Sequence, residues 1–249
     1  MNNLIDVKLT QLSLDFKSQV YMGRDDYMVS SCNNEAYEMI DNWPNWMVHG
    51  LIIYGPKGCG KTHLANLFVE KVCSVTQRIG EISIIEASKI NMRTLNRISN
   101  ENRSIVVDNF SPKSNMEAIF HLFNMYNTEG RYMLFTSETA PSRMHLPLKD
   151  LQSRLNMLPS IEIKEPDDLM LQALIVKLFN DKQIIISPEI LNYILMNAQR
   201  SFAYIEELVD EIDKISLAYQ SAVNYQIIKK SMDIIAQRSY KEPDLFDEY

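Results

Sequence analysis

One segment constrains this chain of 249 residues more than any other: Gly55-Pro56-Lys57-Gly58-Cys59-Gly60-Lys61-Thr62. It fits the spacing G-x-x-x-x-G-K-[ST] and stands between an apolar run at 48–54 and a helical pattern that begins at His63. Glycines let successive main-chain N–H groups turn toward one anion. A helix that starts directly afterwards adds the positive end of its dipole. Lys61 is spaced to reach the outer phosphates of a nucleotide, and Thr62 to offer its hydroxyl to Mg2+. The expected contacts for ATP or ADP are therefore Gly55, Gly58, Cys59, Gly60, Lys61, Thr62 and His63. The plainer alternative is a glycine-rich turn that only joins strand to helix. The match at four fixed positions, in a strand–loop–helix setting, weighs against it.

Such a loop needs a parallel sheet behind it, and the hydrophobic pattern supplies one. Strand-like runs at 48–54, 81–86, 104–108, 132–137 and 160–164 alternate with helical patterns at 63–75, 88–98, 115–129 and 148–157. A further amphipathic helix over 33–43 ends at Pro44, and Gly130 stands where a helix C-cap belongs. After Glu165-Pro166 the strands stop. Helices are predicted over 167–180, 188–197, 203–219 and 225–238, with Ser187-Pro188 as a cap and first-turn signal. The expected organisation is an N-terminal head (1–20), an α/β base (21–165) built on a five-stranded parallel sheet, a small all-helical lid (166–238) and an acidic tail (239–249).

The third run, Ile105-Val106-Val107-Asp108, is an apolar strand that ends in a carboxylate. Beside a phosphate loop such an Asp holds Mg2+, so Thr62 and Asp108 form the candidate metal pair. An Asp that merely starts a turn is the alternative. Asn109 follows, and an amide is a far weaker base than a carboxylate. Nucleotide binding is thus better supported than fast hydrolysis, and weak intrinsic ATPase activity is expected. In the head, Gln11-Leu12-Ser13-Leu14-Asp15-Phe16 sets a polar residue before spaced apolar ones. On composition this is a short strand or staple, or an extended peptide for a partner's groove.

Bulk properties exclude several classes. A net charge of −7 argues against broad duplex binding through lysine and arginine. The three cysteines, Cys32, Cys59 and Cys73, have neither zinc nor disulfide spacing, and a reducing compartment is the simple reading. No run reaches membrane-spanning length, and residues 1–6 do not read as a signal peptide, so a cytoplasmic location is expected. The four histidines show no metal-ligand pairing. His121, among Ile119, Phe120, Leu122 and Phe123, reads as a packed or capped helical histidine rather than a ligand. Trp43 and Trp46 read as packing at the helix exit.

Several segments together resemble the DnaA-related AAA+ family. Gly60-Lys61-Thr62-His63-Leu64 is similar to its phosphate-loop exit. Val107-Asp108-Asn109 is similar to the acidic motif of its shorter, Hda-type members. Gln11, Leu12, Leu14 and Phe16 are similar to their sliding-clamp-binding peptide. Leu151-Gln152-Ser153-Arg154-Leu155 looks like the segment that carries an arginine finger. The resemblance implies a negative regulator of replication initiation, bound to the DNA polymerase sliding clamp, that stimulates ATP hydrolysis by the initiator DnaA. Arg154 would act in trans on a neighbour's γ-phosphate; read without the family, it is an arginine pairing with Asp150 or another acid.

The resemblance also places adenine near Tyr27-Met28-Val29 and Asn33, and a first sensor near Thr136-Ser137-Glu138, which touches γ-phosphate or caps the strand. The usual lid-sensor arginine falls on Ala203, with Arg200 a turn earlier as either a substitute or a solvated residue. DnaA continues into a helix-turn-helix DNA-binding domain, and none is expected after Tyr249. Neither direct sequence-specific DNA binding nor a membrane partner is expected, while a homo-oligomer is allowed. The rival readings are a helicase loader related to DnaC, which gives no reason for the head peptide, and an autonomous P-loop ATPase, against which Asn109 argues.

Overall fold

The computed structural model describes residues 27–78 and 80–241. The head peptide with Gln11, Leu12, Leu14 and Phe16, and the acidic residues after Lys241, lie outside the described residues. The chain opens with α1 (Asn34–Asp41), β1 (Gly50–Tyr54), α2 (Lys61–Thr76), β2 (Ile82–Glu86), α3 (Leu95–Glu101) and β3 (Ser104–Phe110). It continues through α4 (Met116–Thr128), β4 (Tyr132–Ser137), α5 (Lys149–Asn156) and β5 (Ser160–Glu162). All strand pairings are parallel and the sheet order is β2-β3-β4-β1-β5, the expected five-stranded base.

Alternation of side chains along each strand divides the core in two. Leu51, Ile53, Val106 and Leu134 face a cluster containing Ala36 and Ile40 of α1 and Leu64 and Phe68 of α2. Their neighbours Ile52, Ile105, Val107, Met133 and Phe135 face the opposite cluster, with Ile98 of α3, Ile119 and Leu122 of α4, and Leu155 of α5. A sheet buried on both faces reads as continuous apolar runs, which is why the strands were legible. Trp43 and Trp46 pack against Phe68 and Tyr132 as expected. Gly130 follows α4 with φ 65°, the cap conformation its position predicted.

Four expectations need correction. The helix predicted over 88–98 is a short 3-10 turn, Ala87–Lys89, followed by α3 starting only at Leu95. Asn91 Oδ1 accepts from the main-chain N–H of Arg93 (3.0 Å) and Thr94 (3.2 Å), so a local side-chain turn displaces the helix start. The third strand does not stop at Asp108 but runs on to Phe110. The fifth stops at Glu162. His121 is exposed on α4, its ring tilted against Phe120, rather than packed.

Beyond β5 come α6 (Asp168–Asp181), α7 (Pro188–Asn197), α8 (Phe202–Tyr219) and α9 (Tyr225–Lys241). They enclose a third cluster, with Ile175, Phe179, Ile194, Leu208, Ile212 and Ile228 fully buried. Asp167, Ser187 and Ser201 each cap the following helix through a side-chain oxygen. Two residues cross to the base: Met170 and Phe202 belong to the α1–α2 cluster. Among the described residues, no helix is long and apolar enough to cross a membrane.

Candidate functional site

The loop after β1 places Lys61 as the first residue of α2, with Gly60 as N-cap. Gly60 has no side chain to cap this helix start, and no acidic residue occupies its first turn. A glycine at the N-cap leaves the positive end of the helix dipole open to an anion. Lys61 is buried, and its ammonium donates to the carbonyls of Gly55 and Pro56, both at 2.8 Å. The thiol of Cys59 stands 3.8 Å from the same nitrogen. Burial pushes that thiol up, against the opposing pull of Lys61.

Asp108 comes from β3, which is not the neighbour of β1; β4 runs between them. Its carboxylate is 8% exposed, and Oδ2 accepts a long bond from Thr62 Oγ1 (3.4 Å). The structure thus brings the sequence-predicted Lys61, Thr62 and Asp108 together across β4, at the C-terminal edge of the sheet, where ligands of open parallel sheets bind. At this point β3 is irregular. Val107 pairs with Phe135 and Phe110 with Ser137, so Asp108 and Asn109 together oppose the single residue Thr136. Asn109 takes φ 55° and its side chain is exposed. Thr136, fully buried, donates its hydroxyl to Asp108 Oδ1 and accepts the N–H of Asn109 at 2.9 Å.

Around the loop, Tyr27 meets His63 edge-on (4.9 Å between centroids) and stacks on Tyr37 (5.9 Å). Burial raises the Tyr27 phenol well above its ordinary pKa. Asn33, named with the adenine segment, spends its amide on the turn before α1: Nδ2 donates to Met28 O and Oδ1 accepts from Ser30 N, both at 2.8 Å. Ser137 donates to the carbonyl of Thr139 (2.8 Å) and Glu138 is exposed.

The lid reaches the loop through main chain. A Cβ placed on Gly58, whose φ is +77°, would stand 2.8 Å from Ala203 N and 3.1 Å from its Cα. Sequence reasoning reached Ala203 only as the place of a missing arginine, and no local signal marks its contact with Gly58. Arg200 points elsewhere, pairing with Asp168 at the start of α6. Arg154 lies on α5, half-buried, its guanidinium 5.3 Å from the centroid of the Phe120 ring. It makes no ion pair with Asp150 among the described residues, and it is not brought to Lys61 or Asp108 of its own chain. The double role of Thr136 was left open by the sequence, which shows a hydroxyl at a strand end but not what faces it.

Comparison with known proteins agrees with this architecture. The family model described as the bacterial DnaA ATPase domain matches residues 22–162. The chromosomal replication initiator protein DnaA of Wolinella succinogenes is 26% identical over 233 residues, covering 88% of this chain and 52% of that protein. The chain thus spans about half the length of the curated DnaA relatives it matches. Domain III of the Thermotoga maritima replication initiation protein DnaA superposes with a TM-score of 0.72 at 18% identity, covering 84% of this chain and 94% of that one. AMPPCP-bound DnaA from Aquifex aeolicus superposes with a TM-score of 0.60 at 21% identity, covering 78% and 63%. At these identities the structural likeness speaks for a shared fold.

Proposed function

This chain belongs to the family of bacterial DnaA ATPase domains, and from that premise we propose that it is a nucleotide-binding regulator of replication initiation. The observation that carries the reading is the grouping of Lys61, Thr62 and Asp108 around the start of α2, whose N-cap is Gly60. ATP or ADP would exchange the Gly55 and Pro56 carbonyls on the Lys61 ammonium for phosphate oxygens. The positive end of the α2 dipole would face the remaining charge. A relative of the same fold is an AMPPCP complex, which supports a nucleotide here.

The donors also fit Mg2+: one hydroxyl and one carboxylate, hard oxygens 3.4 Å apart, with phosphates to complete the shell. Bound there, the ion would neutralise charge on the outer phosphates. Thr62 and Asp108 would hold it, and Lys61 would orient the γ-phosphate. Asn109 offers only an amide where a water-activating base would stand, so the chain's own turnover is slow.

Arg154 is then read as a finger for a neighbouring subunit. Its guanidinium rests on an aromatic face and pairs with no acid among the described residues, which supports a charge available to a phosphate in trans. The partner is DnaA, whose ATP hydrolysis this chain stimulates. Gln11, Leu12, Leu14 and Phe16 attach the chain to the sliding clamp. The test combines DnaA–ATP, DNA-loaded clamp and this protein as wild type, Arg154→Ala or Phe16→Ala. Phosphate release should rise only with wild type; equal rates in all samples, and without the protein, would sink the regulatory reading.

A further inference from the structure

We infer that Thr136 is a positioning residue for the metal half of the nucleotide site: it holds the Asp108 carboxylate so that one oxygen stays turned toward Thr62. This rests on the nucleotide reading above and deepens it.

The argument begins with sheet order. Because β4 lies between β1 and β3, the strand bearing the phosphate loop and the strand bearing the acid cannot touch directly. Whatever fixes their relative geometry must come from the end of β4. Thr136 occupies that place, paired with Ile53 on one side and with the irregular step Asp108–Asn109 on the other. An extra residue in a strand normally loosens its local pairing. Here the Thr136 hydroxyl replaces the lost ladder contact. Its oxygen accepts the Asn109 N–H (2.9 Å) while its hydrogen goes to Asp108 Oδ1. Both capacities of the hydroxyl are engaged inside the fold, so its role is to orient other groups rather than to touch phosphate.

The consequence falls on the other oxygen. With Oδ1 engaged, Asp108 Oδ2 is the oxygen that faces the Thr62 hydroxyl at 3.4 Å. A hydrogen bond to one carboxylate oxygen sets the rotamer and presents the second as a single-point ligand. Partners of this kind around a metal ligand are worth about 10- to 100-fold in metal affinity. The second bond, from the Asn109 N–H to the Thr136 hydroxyl oxygen, meets Asn109 in its left-handed conformation, with that residue exposed.

Calorimetry of ADP and of a non-hydrolysable ATP analogue, each in Mg2+ and in EDTA, tests this in the full chain. Thr136→Val keeps the β-branched shape and deletes both bonds. Thr136→Ala does so with less bulk should the valine fail to fold, and Thr136→Ser restores the hydroxyl. Expected is Mg2+-free binding within about twofold of wild type for all folded variants, with the Mg2+-dependent gain reduced about tenfold or more in the valine or alanine variant and retained in serine. A general packing role would lower binding with and without Mg2+ in parallel. The inference is overturned if valine or alanine keeps the full Mg2+ gain, or if serine loses it equally. Failure of wild type to bind either nucleotide overturns the nucleotide reading itself, and this inference with it.

Discussion

At the residue scale, the proposed function assigns binding to Lys61 and slow turnover to Asn109, and each assignment can be tested by one substitution. Lys61 sits almost wholly inside the protein, its charge answered among the described residues by two main-chain carbonyls and a thiol. A buried ammonium with neutral partners has much to gain from an anion. Lys61→Ala should weaken ATP and ADP binding by about 100-fold, the equivalent of about 2.7 kcal/mol, as read by calorimetry. Unchanged affinity would refute the role. Asn109 is held with φ 55°, a conformation that Asn and Asp tolerate better than most residues. Asn109→Asp should therefore fold normally and supply the missing base. Phosphate release by the purified protein should rise about tenfold or more; an unaltered rate would show that position 109 does not face the reacting water.

At the scale of elements, helix ends carry more than local stability. Asp167 caps α6 by accepting the Met170 N–H (2.8 Å) and also accepts the Ser31 hydroxyl (2.8 Å) from the turn before α1. The Met170 N–H first, and then Ser31, hold its carboxyl below the usual range. A lowered folded pKa means stability that is present above the unfolded value, about 3.9. That stability is lost as pH falls through the folded value. Asp167→Asn, which keeps a capping oxygen and removes the charge, should thus be less stable than wild type at pH 7, and the difference should shrink in urea melts below about pH 4. A gap that persists in acid would mean the cap works without its charge. Farther along, Glu211 is buried on α8 and meets Arg238 of α9 at 2.9 Å. Arg238→Met strands that carboxylate. Because the arginine is half-exposed, the expected loss is about 1–3 kcal/mol, less than for a fully buried pair.

Element identity was largely readable because both-face burial writes long apolar runs and because Ser187-Pro188 and Gly130 are chemically unambiguous signals. Element boundaries were less so. Asn91 and Thr94 have the same composition in a helix start as in a side-chain turn, and only their mutual bonds decide between the two. The continuation of β3 past Asp108 was hidden because its cause, the Thr136 hydroxyl, comes from a different strand.

For the molecule as a whole, the contact between lid and loop is the decisive feature. Phe202 is buried in the base cluster, and the next residue, Ala203, lies against Gly58 by main chain. Any movement of α8 must therefore displace the phosphate loop's neighbour. Gly58→Ala adds a methyl where there is no room, on backbone with φ +77°, and should destabilise the chain by more than about 1 kcal/mol. It should also open the lid to limited proteolysis after α5. Protection equal to wild type would mean that the two parts do not bear on each other.

From residues alone came the phosphate loop, the acid of the third strand though not where that strand ends, the alternation of strands and helices, and the family. These are local patterns, set by the bond geometry and burial of consecutive residues. The tertiary structure alone decided that β4 stands between the loop and the acid, that Thr136 joins them, and that an alanine of the lid closes on Gly58. Each of those depends on which strands become neighbours and which backbones meet across the fold, relations between distant residues that no window of sequence contains.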